Sequence, residues 1–160
     1  MSKIEARLKE LGLFLPEPLV LPAGVTLPFP WVRLHGNRAF ISGHGPQNPD
    51  GTIAAPLGKV GLEVTKEQAF YSSKLVGLAM LASLKRELGD LDRVSAWLKV
   101  LGMVHSAPGF NQQPYVINGF SELILDLYGT ERGKHARSAV GMAQLPMDIP
   151  VEIEGEVEFI

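Results

Sequence analysis

Between Val151 and Phe159 the chain alternates. Val151, Ile153, Val157 and Phe159 are interleaved with Glu152, Glu154, Glu156 and Glu158. A period of two predicts a strand with one buried face and one wet face. The segment "RSAVGMA" ahead of it alternates as well. Arg137, Ala139, Gly141 and Ala143 fall on one face, and Ser138, Val140 and Met142 on the other. Two longer stretches follow a helical period instead. Thr65 and Gln68 have capping-box spacing and open a helix from about Lys66 to Leu88. Its small residues Ser72, Ser73, Gly77, Ala79 and Ala82 permit close approach to a sheet, and Gly89 ends it. Pro114 suits the first turn of a second helix. That helix carries Val116, Phe120, Leu123, Ile124 and Leu127 on one stripe and closes at Gly129.

The remaining patterns are shorter. "WVRLHGNRAFISGHGP" reads as two strands around a Gly36-Asn37 turn, and "DRVSAWLKVLGMVHS" as a weakly alternating strand. At the N-terminus, Ser2 and Glu5 have capping spacing, Ile4, Leu8 and Leu11 share a stripe, and Gly12 suits the C-terminal cap. Prolines at 16, 18, 22, 28 and 30 follow. Each lacks an N–H donor, so this stretch is expected to be an extended connector over the surface.

The order is therefore β-β-α-β-α-β-β after an N-terminal helix. This predicts an α+β fold, a mixed sheet with two helices packed on one face. The other face is wet or meets another subunit. Pairing the last two strands as a hairpin would gather their bulky apolar residues under the helices. Arg137 and the glutamates would then share the helix-free face. A one-residue slip reverses that result. A chain of 160 residues fits one domain, 1–160, with 1–30 as helix and proline-rich extension and 31–160 as the core.

Composition narrows the function. The net charge of −2 provides no field for nucleic acid or anionic lipid. The absence of cysteine removes disulfides, thiolate metal sites and cysteine nucleophiles, and fits a cytoplasmic setting. His35, His44, His105 and His135 lack metal-ligand spacing, so no metal and no cofactor is expected. Charges at Lys3, Glu5, Arg7, Lys9 and Glu10 interrupt any signal-like apolar run, and Leu75–Leu84 is about half a membrane span. The chain reads as soluble. Three of the four glutamates need no explanation beyond a solvated face. Arg137 is a stronger candidate. Its guanidinium presents a planar fork that matches a carboxylate, and its small neighbours leave room for a ligand. Arg132 and Lys134 lie nearby in "ERGKHAR" and could join it around one anion, though they fall short of a phosphate-tracking stripe. Trp31 is a pocket-wall candidate, Trp97 a core residue, and His44 a possible acid or base.

The segments "FISGHGPQNPDGT", "VINGFSELILDLYG", "HARSAVGMAQLP" and "IPVEIEGEVEF", in this order, resemble the RidA/YjgF family, once labelled endoribonuclease L-PSP. The resemblance runs from about Trp31 to Ile160. It implies a chorismate-mutase-like fold, a homotrimer, and ligand pockets between subunits. It also implies hydrolysis of reactive 2-imino or enamino acids by a deaminase without a cofactor. Arg137 matches the arginine that grips a substrate carboxylate, and Glu152 the glutamate that positions water. Asn118, Ser42 and Gly43 match pocket-shaping positions. Three positions depart from the family pattern. Trp31 replaces a usual tyrosine, Ala139 a frequent cysteine, and His44 an expected glutamine. Two further readings therefore stand beside the deaminase. One is a non-catalytic module that binds a small carboxylate metabolite in the same pocket. The other is an interaction protein acting on RNA or translation.

Overall fold

Side chains named above as caps start the first two helices. Ser2 Oγ accepts the Glu5 N–H at 3.1 Å and opens α1 (Lys3–Glu10). Strands β1 (Val32–His35) and β2 (Arg38–His44) form a hairpin with Arg38 opposite His35. The Thr65–Gln68 capping box is closed in both directions, at 3.1 and 2.9 Å, and opens α2 (Lys66–Leu88). Then follow β3 (Val94–His105), α3 (Gln113–Gly133), β4 (Ala136–Met142) and β5 (Val151–Phe159). Gly129, at φ 70°, is a non-helical break within α3. The computed structural model describes residues 2–160. Among them, no helix is long and apolar enough to cross a membrane.

The five strands are ordered β1-β2-β5-β3-β4. Strands β3 and β4 are parallel and the other neighbours antiparallel. The two longer helices pack together and over one side of the sheet, as the pattern predicts. The last two strands do not form a hairpin, however. Strand β5 lies between β2 and β3, while β4 is an edge paired only with β3. A parallel pair needs a crossover, and α3 supplies it.

The register then decides which way each residue points. Arg137 lies beside Val100, which is itself beside Gly155. Ala139 aligns with Gly102 and Ile153, and Gly141 with Val104 and Val151. Val100, Val104, Val151 and Ile153 are buried in the main core, so this face is the helix side. Glu152 aligns instead with Met103 and Val140 on the open face. The expectation that Arg137 shares a face with the glutamates is thus overturned. The two lie on opposite sides of the sheet. Space is the cause: a Cβ at Gly102 would come within 2.6 Å of Ile117, and one at Gly141 within 3.0 Å of Gln113 and Ser106. Only small side chains fit under α3, so bulky Val140 and Met142 turn the other way.

The N-terminal segment is built into this body. Ile4 and Leu8 are buried, whereas Leu11, placed on the same stripe, is exposed. Asp92 receives the Lys3 and Ile4 N–H groups at 2.7 and 3.0 Å, and Lys85 pairs with Glu5. The connector that follows is stapled to the 46–54 turn. Glu17 and Val20 donate N–H bonds to the Pro49 and Gly51 carbonyls at 2.9 and 3.0 Å. Gly51 has φ 85°, and a Cβ there would come within 2.2 Å of the Pro18 carbonyl oxygen. The connector is extended, as its prolines require, but it is fixed. Trp97 is core, against Phe120 and Tyr128.

Candidate functional site

Two half-sites emerge, one on each side of the sheet. The first is built around Arg137. Its Nη1 donates to Asn118 Oδ1 at 2.8 Å and to Ser121 Oγ at 3.1 Å, and its Nη2 to the Pro114 carbonyl at 3.3 Å. All three acceptors are neutral and belong to α3. Among the described residues no carboxylate lies within ion-pair distance of this guanidinium. Arg137 is only part-buried, and desolvation lowers its pKa. A half-buried cation held in a fixed orientation, with its charge unmatched, is suited to an external anion. Ala139, two residues on, shares this face. Ser121 and the Pro114 carbonyl were not singled out in the sequence. Ser121 lies three residues beyond Asn118, one helical turn on, and that spacing was the available signal.

The cationic cluster expected in "ERGKHAR" is not assembled. Arg132 donates Nε to the Val94 carbonyl at 3.0 Å and Nη2 to the Asp92 carbonyl at 2.9 Å. It is occupied at the start of β3 and is a structural arginine.

The second half-site surrounds Glu152. The β2–β5 register shifts between Ile41 and His44, so a bulge displaces Ser42 and Gly43 from regular pairing. The Ser42 N–H bonds the Trp31 carbonyl at 2.9 Å, and its hydroxyl donates to the Pro30 carbonyl at 2.8 Å. Gly43 lies beneath the Glu152 carboxylate. A Cβ at position 43 would come within 2.5 Å of Glu152 Oε2. Glycine is required here because the carboxylate occupies the volume of a side chain. The other glutamates are accounted for differently. Glu156 pairs with Arg38 at 2.8 Å, Glu158 accepts the Ser95 hydroxyl at 3.0 Å, and Glu154 is exposed. Burial raises the Glu152 pKa, and the neighbouring charge of Glu154 adds to the rise. Glu152 and Trp31 open on one cleft of about 450 Å³.

His44 lies behind this cleft and does not offer a nitrogen to it. The ring packs on Trp31 with centroids 4.9 Å apart. Its Nδ1 donates to the Ser42 carbonyl at 2.6 Å, and Nε2 accepts the Ser83 hydroxyl at 2.8 Å. Arg86 in turn donates to Ser83 Oγ at 3.1 Å. The same relay recurs in the first half-site. Arg137 donates to Ser121, Ser121 to His135 Nε2 at 2.9 Å, and His135 Nδ1 to the Gly133 carbonyl at 2.7 Å. His135 and Arg137 thus share one serine. His135 precedes β4 rather than belonging to it, and so both residues reach one hydroxyl. In each relay the arginine's charge and the occupied Nε2 favour a neutral ring.

Burial lowers the His44 pKa from 6.5 to about 4. Below pH 6.5 the unfolded chain therefore takes up a proton that the folded chain refuses, and stability falls as pH drops toward 4. His44→Gln is expected to flatten that loss, as read from urea midpoints at neutral pH and near pH 5. An unchanged pH slope would assign it to other groups, such as His135, whose pKa burial also lowers.

No protein-family model matches the chain. Protein TCP17 of Trypanosoma cruzi is 36% identical over 157 residues, which is 98% of this chain and 94% of that protein. The crystal structure of Atu1372 from Agrobacterium tumefaciens, described as of unknown function, is 40% identical. It covers 99% of this chain and 93% of its own, with a TM-score of 0.86. RidA from the Antarctic bacterium Psychrobacter has the same fold at 24% identity, with a TM-score of 0.55 over 86% of this chain and 93% of that one. The chain shares a family with TCP17 and Atu1372, and its fold is that of RidA/YjgF proteins. The TCP17 and Atu1372 matches cover nearly all of the chain, so they include its N-terminal helix and connector. The mixed five-stranded sheet with three α-helices matches the RidA/YjgF chorismate-mutase-like α+β fold.

Proposed function

We propose that this protein is a functional member of the RidA/YjgF family, hydrolysing 2-imino or enamino acids to 2-keto acids and ammonia in pockets between the subunits of a homotrimer. One observation carries the reading. Arg137 and Glu152 are each prepared for chemistry, yet a sheet separates them within one chain. A neighbouring copy can complete each half-site. It would bring its Arg137 to the Glu152 cleft of the first, and symmetric closure repeats the pairing. The open face supports such packing, since Phe40 and Val140 are exposed.

In this pocket Arg137 of one copy holds the substrate carboxylate with two N–H bonds. The substrate C=N carbon then faces Glu152 of the other. Water adds to that carbon as Glu152 takes its proton, giving a carbinolamine. Glu152 returns that proton to nitrogen, then takes the proton of the new hydroxyl and passes it to nitrogen as well; the C–N bond breaks with its electron pair on nitrogen, releasing ammonia, and the C–O bond becomes the carbonyl. Overall, imine and water give ketone and ammonia, with no change of oxidation state and so no redox partner. A desolvated carboxylate of raised pKa suits these proton transfers. Such assistance is worth about 10²–10⁴ in rate.

Generating 2-aminoacrylate or another 2-imino acid in situ and following keto-acid release tests the reading. Acceleration above the uncatalysed rate is expected. Saturable keto-acid binding with no acceleration of any imine would instead support a binding module. Ala139 in place of a frequent cysteine and Trp31 in place of a tyrosine favour that second reading, since indole offers a donor only.

Two substitutions probe Glu152 directly. Glu152→Gln should slow turnover while retaining binding. Because folding raises the pKa of Glu152, ionisation opposes the fold as pH rises. The neutral variant should therefore be more stable than wild type at neutral pH. The difference should vanish at pH values below the ordinary carboxylate range. Gly43→Ala should displace the carboxylate and slow turnover with little change in Tm. Wild-type rates in both variants would assign the water to another group.

A further inference from the structure

The cleft beside Glu152 is larger and more apolar than a three-carbon acid requires. Its volume of about 450 Å³ lies within the roughly 300–1,000 Å³ of small-molecule sites. Glu152 and Gly43 mark its polar end. Elsewhere it is walled by apolar side chains, among them Leu19, Leu21, Leu27 and Trp31. The floor comes from Ile53 and Ile149, which belong to a separate cluster on the open face with Met103 and Leu145. Val25, Phe29 and Met147 form exposed lips. Met147 and Asp148 adopt left-handed backbone conformations, with φ 57° and 56°. A bulky non-glycine residue held there is uncommon and marks a constrained turn.

The wall belongs to the connector, and the connector is fixed in place. Backbone bonds from Glu17 and Val20, the close passage of Pro18 over Gly51, and the Phe29–Trp31 edge contact at 5.8 Å position it. We propose that residues 19–29 form a specificity wall that receives a large apolar side chain of the ligand, branched or aromatic. The inference rests on the intersubunit reading above and names its substrate class: 2-imino or 2-keto acids of bulky apolar amino acids. The chemistry of the cleft supports this occupant. A carboxylate group on the ligand is repelled by Glu152 and must point out toward Arg137 of a neighbouring copy. The uncharged remainder then lies against the apolar wall. A wholly polar ligand would leave that wall wetted, and a purely apolar one would desolvate Glu152 without compensation.

Calorimetric titration of the full chain with pyruvate, 4-methyl-2-oxopentanoate and phenylpyruvate tests this. These keto acids are unreactive, so binding is read apart from catalysis. At least one bulky acid should bind about tenfold or more tightly than pyruvate, because each added methylene in an apolar pocket is worth roughly tenfold or more. Val25→Asp and Val25→Trp alter the lip by charge and by volume at an exposed position. Each should collapse the bulky-to-pyruvate ratio toward unity with little change in Tm. Equal affinities in wild type, or a ratio unmoved by both variants, would overturn the specificity wall while leaving the carboxylate site standing. Binding of no keto acid would remove the site itself and the wall with it. Bulky-acid binding that survives Arg137→Ala would also overturn the inference, by separating the chamber from the carboxylate anchor.

Discussion

Arg137→Ala is expected to weaken keto-acid binding, and to lower kcat/KM for imine hydrolysis, by about 100-fold or more. Two charge-assisted bonds to a carboxylate are worth about 3 kcal/mol together, and each 1.4 kcal/mol is tenfold. Stability should change little. The acceptors released on Asn118, Ser121 and Pro114 lie at a part-exposed edge and can turn to water. Arg137→Lys keeps the charge but loses the planar fork and should recover only part of the loss. The measurements are titration with a keto acid and initial rates with an imine generated in situ, with a thermal melt as the control for folding. Wild-type rates in Arg137→Ala would remove this residue from the site and with it the intersubunit pocket.

The second large effect concerns stability. Gly119 on α3 lies against α2, where a Cβ would come within 2.0 Å of the Phe70 carbonyl oxygen and 3.4 Å of the Lys74 nitrogen. Both obstacles are backbone, so no side chain can rotate away. Ser73 crosses the same contact, its hydroxyl accepting the Phe120 N–H at 3.1 Å. Gly119→Ala must therefore push the helices apart over the buried stripe of Val116, Phe120 and Leu123. Overpacking of this kind costs roughly 1–3 kcal/mol, and the rigid obstacle puts the expected loss near the upper end. At roughly 2–4 °C per kcal/mol, Tm should fall by about 6–12 °C. A change of less than about 1 kcal/mol in chemical denaturation would show that the helix pair has slack the geometry does not suggest.

The paired relays give the two predictions a common frame. In each half-site a helix serine links an arginine to a histidine that donates to a carbonyl two residues before it. One relay supports Trp31 from behind, and the other fixes the guanidinium that faces outward. The first histidine is the more buried, and its arginine, though exposed, bonds Ser83 and the Pro16 carbonyl of its own protomer. The second leaves its arginine at an edge strand. Similar local chemistry therefore braces Trp31 on one side of the molecule and orients the proposed carboxylate anchor on the other.

Local patterns settled much of this architecture before any coordinates. The two-residue period of β5 assigned Val151, Ile153 and Val157 to the core, and all three are buried. The Thr65–Gln68 box and Gly89 bounded α2, because caps satisfy orphan backbone groups by short-range bonds. The stripe on α3 was legible for the same reason. The motif order along the chain pointed to the RidA/YjgF fold. What remained hidden was nonlocal. Alternation separates two faces of a strand but does not say which one a helix covers. In β4 neither set was decisively apolar, so volume under α3 decided, and Ala139 and Gly141 went inward while Val140 went out. The insertion of β5 between β2 and β3 then put Glu152 on the side away from Arg137. The connector showed the same limit. Its prolines specified an extended chain, but only the turn at Gly51 and the bulge at Ser42–Gly43 made that chain a wall beside a carboxylate.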